Sequence, residues 1–132
     1  MNKSPLAAQA VLSGLLTSLA GATLTFYSGS QPSSPSVALG ASNLALVVTT
    51  IAAFGPVNLT GTQAIAYATF GASLYTVLNS GNASFARAVG PSGTLLDFSV
   101  ATAGADINLI TVALAAGAPF FPPILSIGMT YP

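Results

Sequence analysis

Asn82-Ala-Ser-Phe-Ala-Arg-Ala-Val89, then Gly90-Pro91-Ser92-Gly93, then Thr94-Leu-Leu-Asp-Phe-Ser-Val100 reads as two strands joined by a tight turn. Pro91 supplies the fixed φ wanted at the first central position of a type I turn, and Gly93 can adopt the left-handed conformation that closes a three-residue loop with a bulge. Gly90 then pairs with Thr94, and counting back along the ladder sets Val89 against Leu95, Ala88 against Leu96 and Arg87 against Asp97. A guanidinium and a carboxylate therefore stand directly opposite on one face. A four-residue loop would place Arg87 opposite Leu96 and send Asp97 to the other face, leaving both charges unpaired. The three-residue loop is the expected one.

The rest of the composition explains why that pair matters. The 132 residues contain no Cys, His or Trp, and only Lys3, Arg87, Asp97 and Asp106 carry charged side chains, 3% of the chain. Soluble domains usually devote about a quarter of their residues to charge. Here the formal net charge is +0 and the mean hydropathy is +0.78. Such a surface consists of Ser, Thr, Asn, Gly, Ala and exposed aliphatics, which suits a subunit held against neighbours. There is no thiol chemistry, no disulfide framework and no basic patch for nucleic acid. The length suits a single domain over residues 1–132 with its own core.

Ser, Thr, Gly or Pro interrupts the apolar residues every few positions, whereas a membrane-spanning helix needs about 20 mostly apolar residues. No membrane association is expected. The stretch from Leu6 to Leu24 also has the outline of a signal peptide, with Lys3 as its charged end and Ala20-Gly21-Ala22 as a small-residue cleavage pattern. Local chemistry favours a helix over roughly Pro5 to Ala20: Ser4 can cap it and Pro5 fits its first position. Leu12, Leu15, Leu16 and Leu19 form one apolar stripe. That stripe either covers a sheet or, through Leu12 and Leu16, reaches a neighbouring subunit.

After Gly21, residues 22–132 show short alternating or β-branched runs separated by Gly, Pro, Ser and Asn. Strands are expected near Thr23 to Tyr27, Leu44 to Ala53, Ala64 to Phe70, Ser73 to Leu78, Ser84 to Val89, Thr94 to Val100, Ile107 to Leu114 and Ile124 to Tyr131. About eight strands after one N-terminal helix predict an all-β, jelly-roll-like two-sheet sandwich. Ser28 to Ser36, rich in Ser and Pro, is a loop that serves as a tip or as a contact arm through Gln31 and Pro32. Pro119-Phe120-Phe121-Pro122-Pro123 is either a wide turn folded onto the core or an aromatic anchor for a partner.

No catalytic constellation emerges. Asp97 has a partner, and Asp106 has no second Asp, Glu, His or Cys free to complete an acid–base pair or a metal site. Asp106 reads as a turn residue that bonds nearby amides. No enzymatic activity, cofactor or metal is expected. Tyr27, Tyr67, Tyr75 and Tyr131 read as amphipathic strand residues. Asn58-Leu-Thr60 and Asn82-Ala-Ser84 match the glycosylation acceptor pattern, which has meaning only in a secretory setting.

Taken together, Ala83 to Val100, Gly104-Ala-Asp-Ile-Asn-Leu109, the closing Met129-Thr-Tyr-Pro132, Tyr27 to Pro32 and the Leu-rich Leu44 to Val48 resemble small tailed-bacteriophage virion proteins. The resemblance implies a capsid cement or decoration protein with a jelly-roll body. It would be a homo-oligomer, most simply a trimer, bound to the major capsid protein on the head surface. A tail, baseplate or connector subunit is the nearest alternative. A secreted carbohydrate-binding or adhesive module is an alternative of another class.

Overall fold

The computed structural model describes residues 2–131. Helix α1 (Pro5–Leu19) begins as expected: the Ser4 hydroxyl accepts the Ala7 amide at 3.2 Å and Pro5 occupies the first turn. The chain leaves the helix at Ala20, which is extended, and Gly21, with φ 80°, completes a tight turn in which Ala22 N–H donates to Leu19 O at 3.0 Å. The Gly21 amide donates to the Ile51 carbonyl and the Ile51 amide to the Ala22 carbonyl, which ties the helix exit to the sheet.

The strands are β1 (Thr23–Tyr27), β2 (Ala45–Phe54), β3 (Asn58–Leu59), β4 (Gln63–Phe70), β5 (Tyr75–Thr76), β6 (Gly81–Asn82), β7 (Phe85–Val89), β8 (Leu95–Ala101), β9 (Ile107–Asn108), β10 (Ala113–Leu114), β11 (Pro119–Phe120) and β12 (Ser126–Thr130). The chain is thus all-β with one N-terminal helix. One eight-stranded sheet runs β12-β4-β2-β1-β7-β8-β9, with β3 also on β4, and two ribbons pair β10 with β6 and β11 with β5. The finer jelly-roll arrangement of two facing sheets finds no confirmation in that pairing. Curvature has a local source in β2, where Leu46 and Ala52 are extra residues against β1 and β4 respectively. Each such bulge bends the strand and raises its twist, so the sheet curls around its own apolar face.

That face and the helix share one core. Leu24, Phe26, Val47, Ile51, Ala64, Ala66, Ala86 and Ala88 are buried together with Ala8, Leu12, Leu16 and Leu19 of α1, which lies against β4, β12 and β2. The stripe therefore covers a sheet, and Leu12 and Leu16 are core residues instead of a contact arm. Thr49, buried on this face, satisfies its hydroxyl by donating to the Leu24 carbonyl at 2.8 Å.

Two expected strands are broken. Ile107 to Leu114 pairs at its start with β8 and at its end with β6, so the chain must bend between them, at Ile110. Ser73 to Leu78 keeps only β5. Val77 still bonds Ala118, but the amides of Leu78 and Asn79 turn aside to the carbonyl of the bulged Leu46.

The central hairpin has the register expected from its turn. Gly90 N–H donates to Thr94 O at 2.8 Å, Gly93 N–H donates to Gly90 O at 3.0 Å, and Gly93 has φ 95°. Arg87 stands opposite Asp97. Arg87 Nε to Asp97 Oδ1 is 2.7 Å and Nη2 to Oδ2 is 2.9 Å, a bidentate pair whose side chains are only 8% and 4% exposed. Hydrogen bonding to Asp97 is the main cause that holds the guanidinium pKa above its ordinary value, against the opposing effect of burial. Since a raised cation pKa contributes stability below the ordinary value and loses it only at still higher pH, Arg87 remains charged at any working pH.

Arg87 lies on the sheet face opposite the core, beside Thr25. What buries it there is the Ser/Pro loop between β1 and β2. Arg87 Nη1 donates to Val37 O at 3.1 Å. The loop base is gripped by Asn43, whose Nδ2 donates to Ser28 O and Ser30 O, and by Ser84, whose hydroxyl donates to Gly29 O. On the same face Tyr27 stacks on the fully buried Phe85, with centroids 5.3 Å apart. Within the strap Gln31 is exposed and Pro32 half-buried.

Removing either Arg87 or Asp97 alone strands a buried charge and is expected to cost about 3–5 kcal/mol, with the double replacement costing much less. A double-mutant cycle in denaturant measures this coupling, which should change little with salt. A second test concerns the hairpin tip, where a Cβ on Gly90 would stand 2.4 Å from the Ser18 carbonyl of α1. Gly90→Ala should destabilise by about 1–3 kcal/mol through forced displacement, with chemical denaturation as the readout.

Candidate interaction site

Three pairs of neighbouring residues divide between inside and outside along one side of the molecule. Leu109, Phe120 and Leu125 are buried, while Ile110, Phe121 and Ile124 beside them project outward. Phe120 packs on Phe26 with ring centroids 5.0 Å apart at 57°. The buried members anchor their backbones, so the exposed ones are held in place and not left on loose loops.

The Phe120 segment is fixed further by its ribbon: Phe120 pairs with Tyr75, and Val77 N–H donates to Ala118 O at 3.0 Å. Pro122 and Pro123, both half-buried, stiffen the turn that follows. Between this turn and the bend at Ile110 lies an open groove of about 560 Å³ lined by Leu109, Ile110, Leu114, Phe121, Pro122 and Ile124 among others. None of its lining residues is charged. Ile110 is fully exposed, Ile124 is 82% and Phe121 70% exposed. The groove therefore exposes three large apolar side chains to solvent.

The residues expected at an interface are thereby separated. Phe121, Pro122 and Pro123 reach the groove. Phe120 reaches it too, but as part of its buried wall, and Leu12, Leu16, Gln31 and Pro32 lie elsewhere. Ile110 and Ile124 were not singled out by their sequence context, because their exposure depends on the bend that breaks Ile107 to Leu114 and on the turn after Pro123.

Asp106 is engaged as a turn residue: Ser99 N–H donates to its Oδ2, and its own amide donates to Ser99 Oγ, both at 3.0 Å. Among the described residues no cluster of His, Cys, Asp or Glu could hold a metal ion. Among them, too, no helix is long and apolar enough to cross a membrane. Of the tyrosines, Tyr75 and Tyr131 donate their hydroxyls to the carbonyls of Thr50 and Thr60, and Tyr27 is stacked. Tyr67, at 49%, is the exposed one.

Because Ile110, Phe121 and Ile124 support little of the fold, replacing all three by Ser should shift the free energy of unfolding by no more than about 0.5 kcal/mol per site. Binding of a dye that reports exposed apolar surface should fall in the same variant, as read by fluorescence titration. No protein-family model matches the chain, nor does any curated protein or solved structure.

Proposed function

We propose that the protein is a structural virion subunit, a cement or decoration protein that binds the outer surface of a tailed-phage head between major capsid protein subunits. The observation that supports this reading is the uncharged groove of Ile110, Phe121 and Ile124 on a chain with four charged side chains, two of them locked in one pair. A subunit of this kind needs a rigid β-body and an apolar contact surface, and it needs no reactive group. The resemblance of the hairpin and its flanking segments to small virion proteins points the same way.

Attachment through apolar burial depends weakly on ionic strength, because little Coulomb attraction is available to be screened. Purified particles washed in high salt should therefore retain the protein at a copy number near that of the capsid protein. The Ile110/Phe121/Ile124 to Ser variant, added to stripped particles, should bind with much reduced occupancy. Release by moderate salt would overturn the reading. A few copies per particle, localised to the tail by labelling in electron micrographs, would assign the protein to a tail or connector instead.

A further inference from the structure

The two ends of the main sheet are finished differently. At the β8 end the edge is covered over its last three residues, though not at Leu95 and Asp97: β9 pairs with Val100 and Ala101, Leu109 N–H donates to Ala101 O, and Asp106 takes up the Ser99 amide. At the other end β12 has one neighbour, β4. Ala68 N–H donates to Leu125 O and Tyr131 N–H to Thr62 O, so the odd-numbered residues of this strand face β4. By alternation Ser126, Gly128 and Thr130 turn their N–H and C=O groups away from the sheet. These groups have no hydrogen-bond partner among the described residues, and Gly128 and Thr130 are exposed.

Natural sheets protect such an edge with charge, Pro, a bulge or a covering element. β12 has none of these: its sequence is Ser-Ile-Gly-Met-Thr, its register on β4 is unbroken, and α1 lies on the inner face with Ala64, Ala66 and Ile127. We propose that β12 is a docking edge for β12 of a second copy, added antiparallel across a twofold axis at Gly128. This contact rests on the strand edge and holds whether or not the subunit belongs to a virion.

Three features select a second copy as the occupant. An antiparallel edge is complementary to itself, so one surface serves both sides. With Gly128 facing Gly128 of the second copy, Ser126 meets Thr130 and Thr130 meets Ser126. Those three pairs, exchanging two bonds each, satisfy every outward group. The charge pattern also permits it, because neither β12 nor its neighbour β4 carries a charged residue, and two copies meet without like-charge repulsion. The outer sheet face continues across the axis as well: Ile65 stands beside each Gly128 and Tyr67 beside each Ser126, so small residues at the junction lie between larger ones. The contact closes at two copies, a twofold arrangement distinct from the threefold one that the resemblance implies. A single strand pair buries less than the roughly 800 Å² per partner of a standard interface, so the dimer should dissociate on dilution.

Sedimentation of the full chain over a concentration series should show a monomer–dimer equilibrium. Gly128→Pro removes the central outward amide while leaving the β4 ladder intact, and Gly128→Lys sets like charges across the axis. A Cβ at this position meets Gln63 Oε1 at 3.0 Å, the movable end of a side chain. Each variant should keep the wild-type circular dichroism and weaken dimerisation on the order of tenfold or more. Amide exchange at Ser126, Gly128 and Thr130 should slow as wild-type concentration rises. Should Gly128→Pro fail to fold, Gly128→Lys and amide exchange decide. A wild-type monomer at the highest concentration, a trimer, or a dimer whose β12 amides exchange freely would each overturn the proposal.

Discussion

The ion pair of Arg87 and Asp97 is the constraint on which the sheet depends. A strand slip of one residue turns every side chain to the opposite face, and in this chain most alternatives are apolar on both faces: β7 is buried at four of its five positions. Hydrophobicity alone therefore discriminates poorly between registers. A slipped register would leave a cation and an anion separately desolvated, which is costly enough to exclude it. An apolar replacement of similar volume could be as stable, but it would not carry that discrimination. The pair also reaches outward, since the third guanidinium contact, to Val37, ties down the strap between β1 and β2.

The features legible in the amino-acid order were those decided by near neighbours. The Pro-Ser-Gly turn, the Ser4-Pro5 helix start and the facing of Arg87 and Asp97 across that turn follow from contacts between nearby residues, and the structure has all of them. Features decided by distant partners were not legible. Nothing local says that Ile107 and Leu114 pair with different strands, so the bend at Ile110 and the groove it creates could not be read. The aromatic pair Phe120-Phe121 was readable as one buried and one exposed residue only after Phe26 was placed against it. The Leu stripe of the helix specified an apolar partner without saying whose, and the partner is the chain's own sheet.

The same scarcity of charge shapes the periphery. Asp106, the second carboxylate of the chain, closes one end of the sheet through Ser99, and Asn43 and Ser84 hold the strap with neutral hydrogen bonds. Amide and hydroxyl groups thus take over tasks that most soluble proteins give to ion pairs. Their contribution is individually modest, about 0.5–1.5 kcal/mol each, and it is insensitive to salt.

The position of β1 has a consequence for how the chain reaches this state. β1 lies between β2 and β7, and its β7 partners begin with Val89 against Thr23, so the middle of the sheet is assembled from segments far apart in the chain. The turn at Gly90 also rests on the carbonyl of Ser18, which couples the end of the helix to a hairpin made much later during synthesis. Sheets dominated by such distant pairings fold on the millisecond-to-second scale. The helix can form early, but its apolar stripe stays uncovered until β4 and β12 are in place. During that interval the nascent protein is at its most aggregation-prone, and the quickly closing β7–β8 hairpin is the natural template on which β1 can dock.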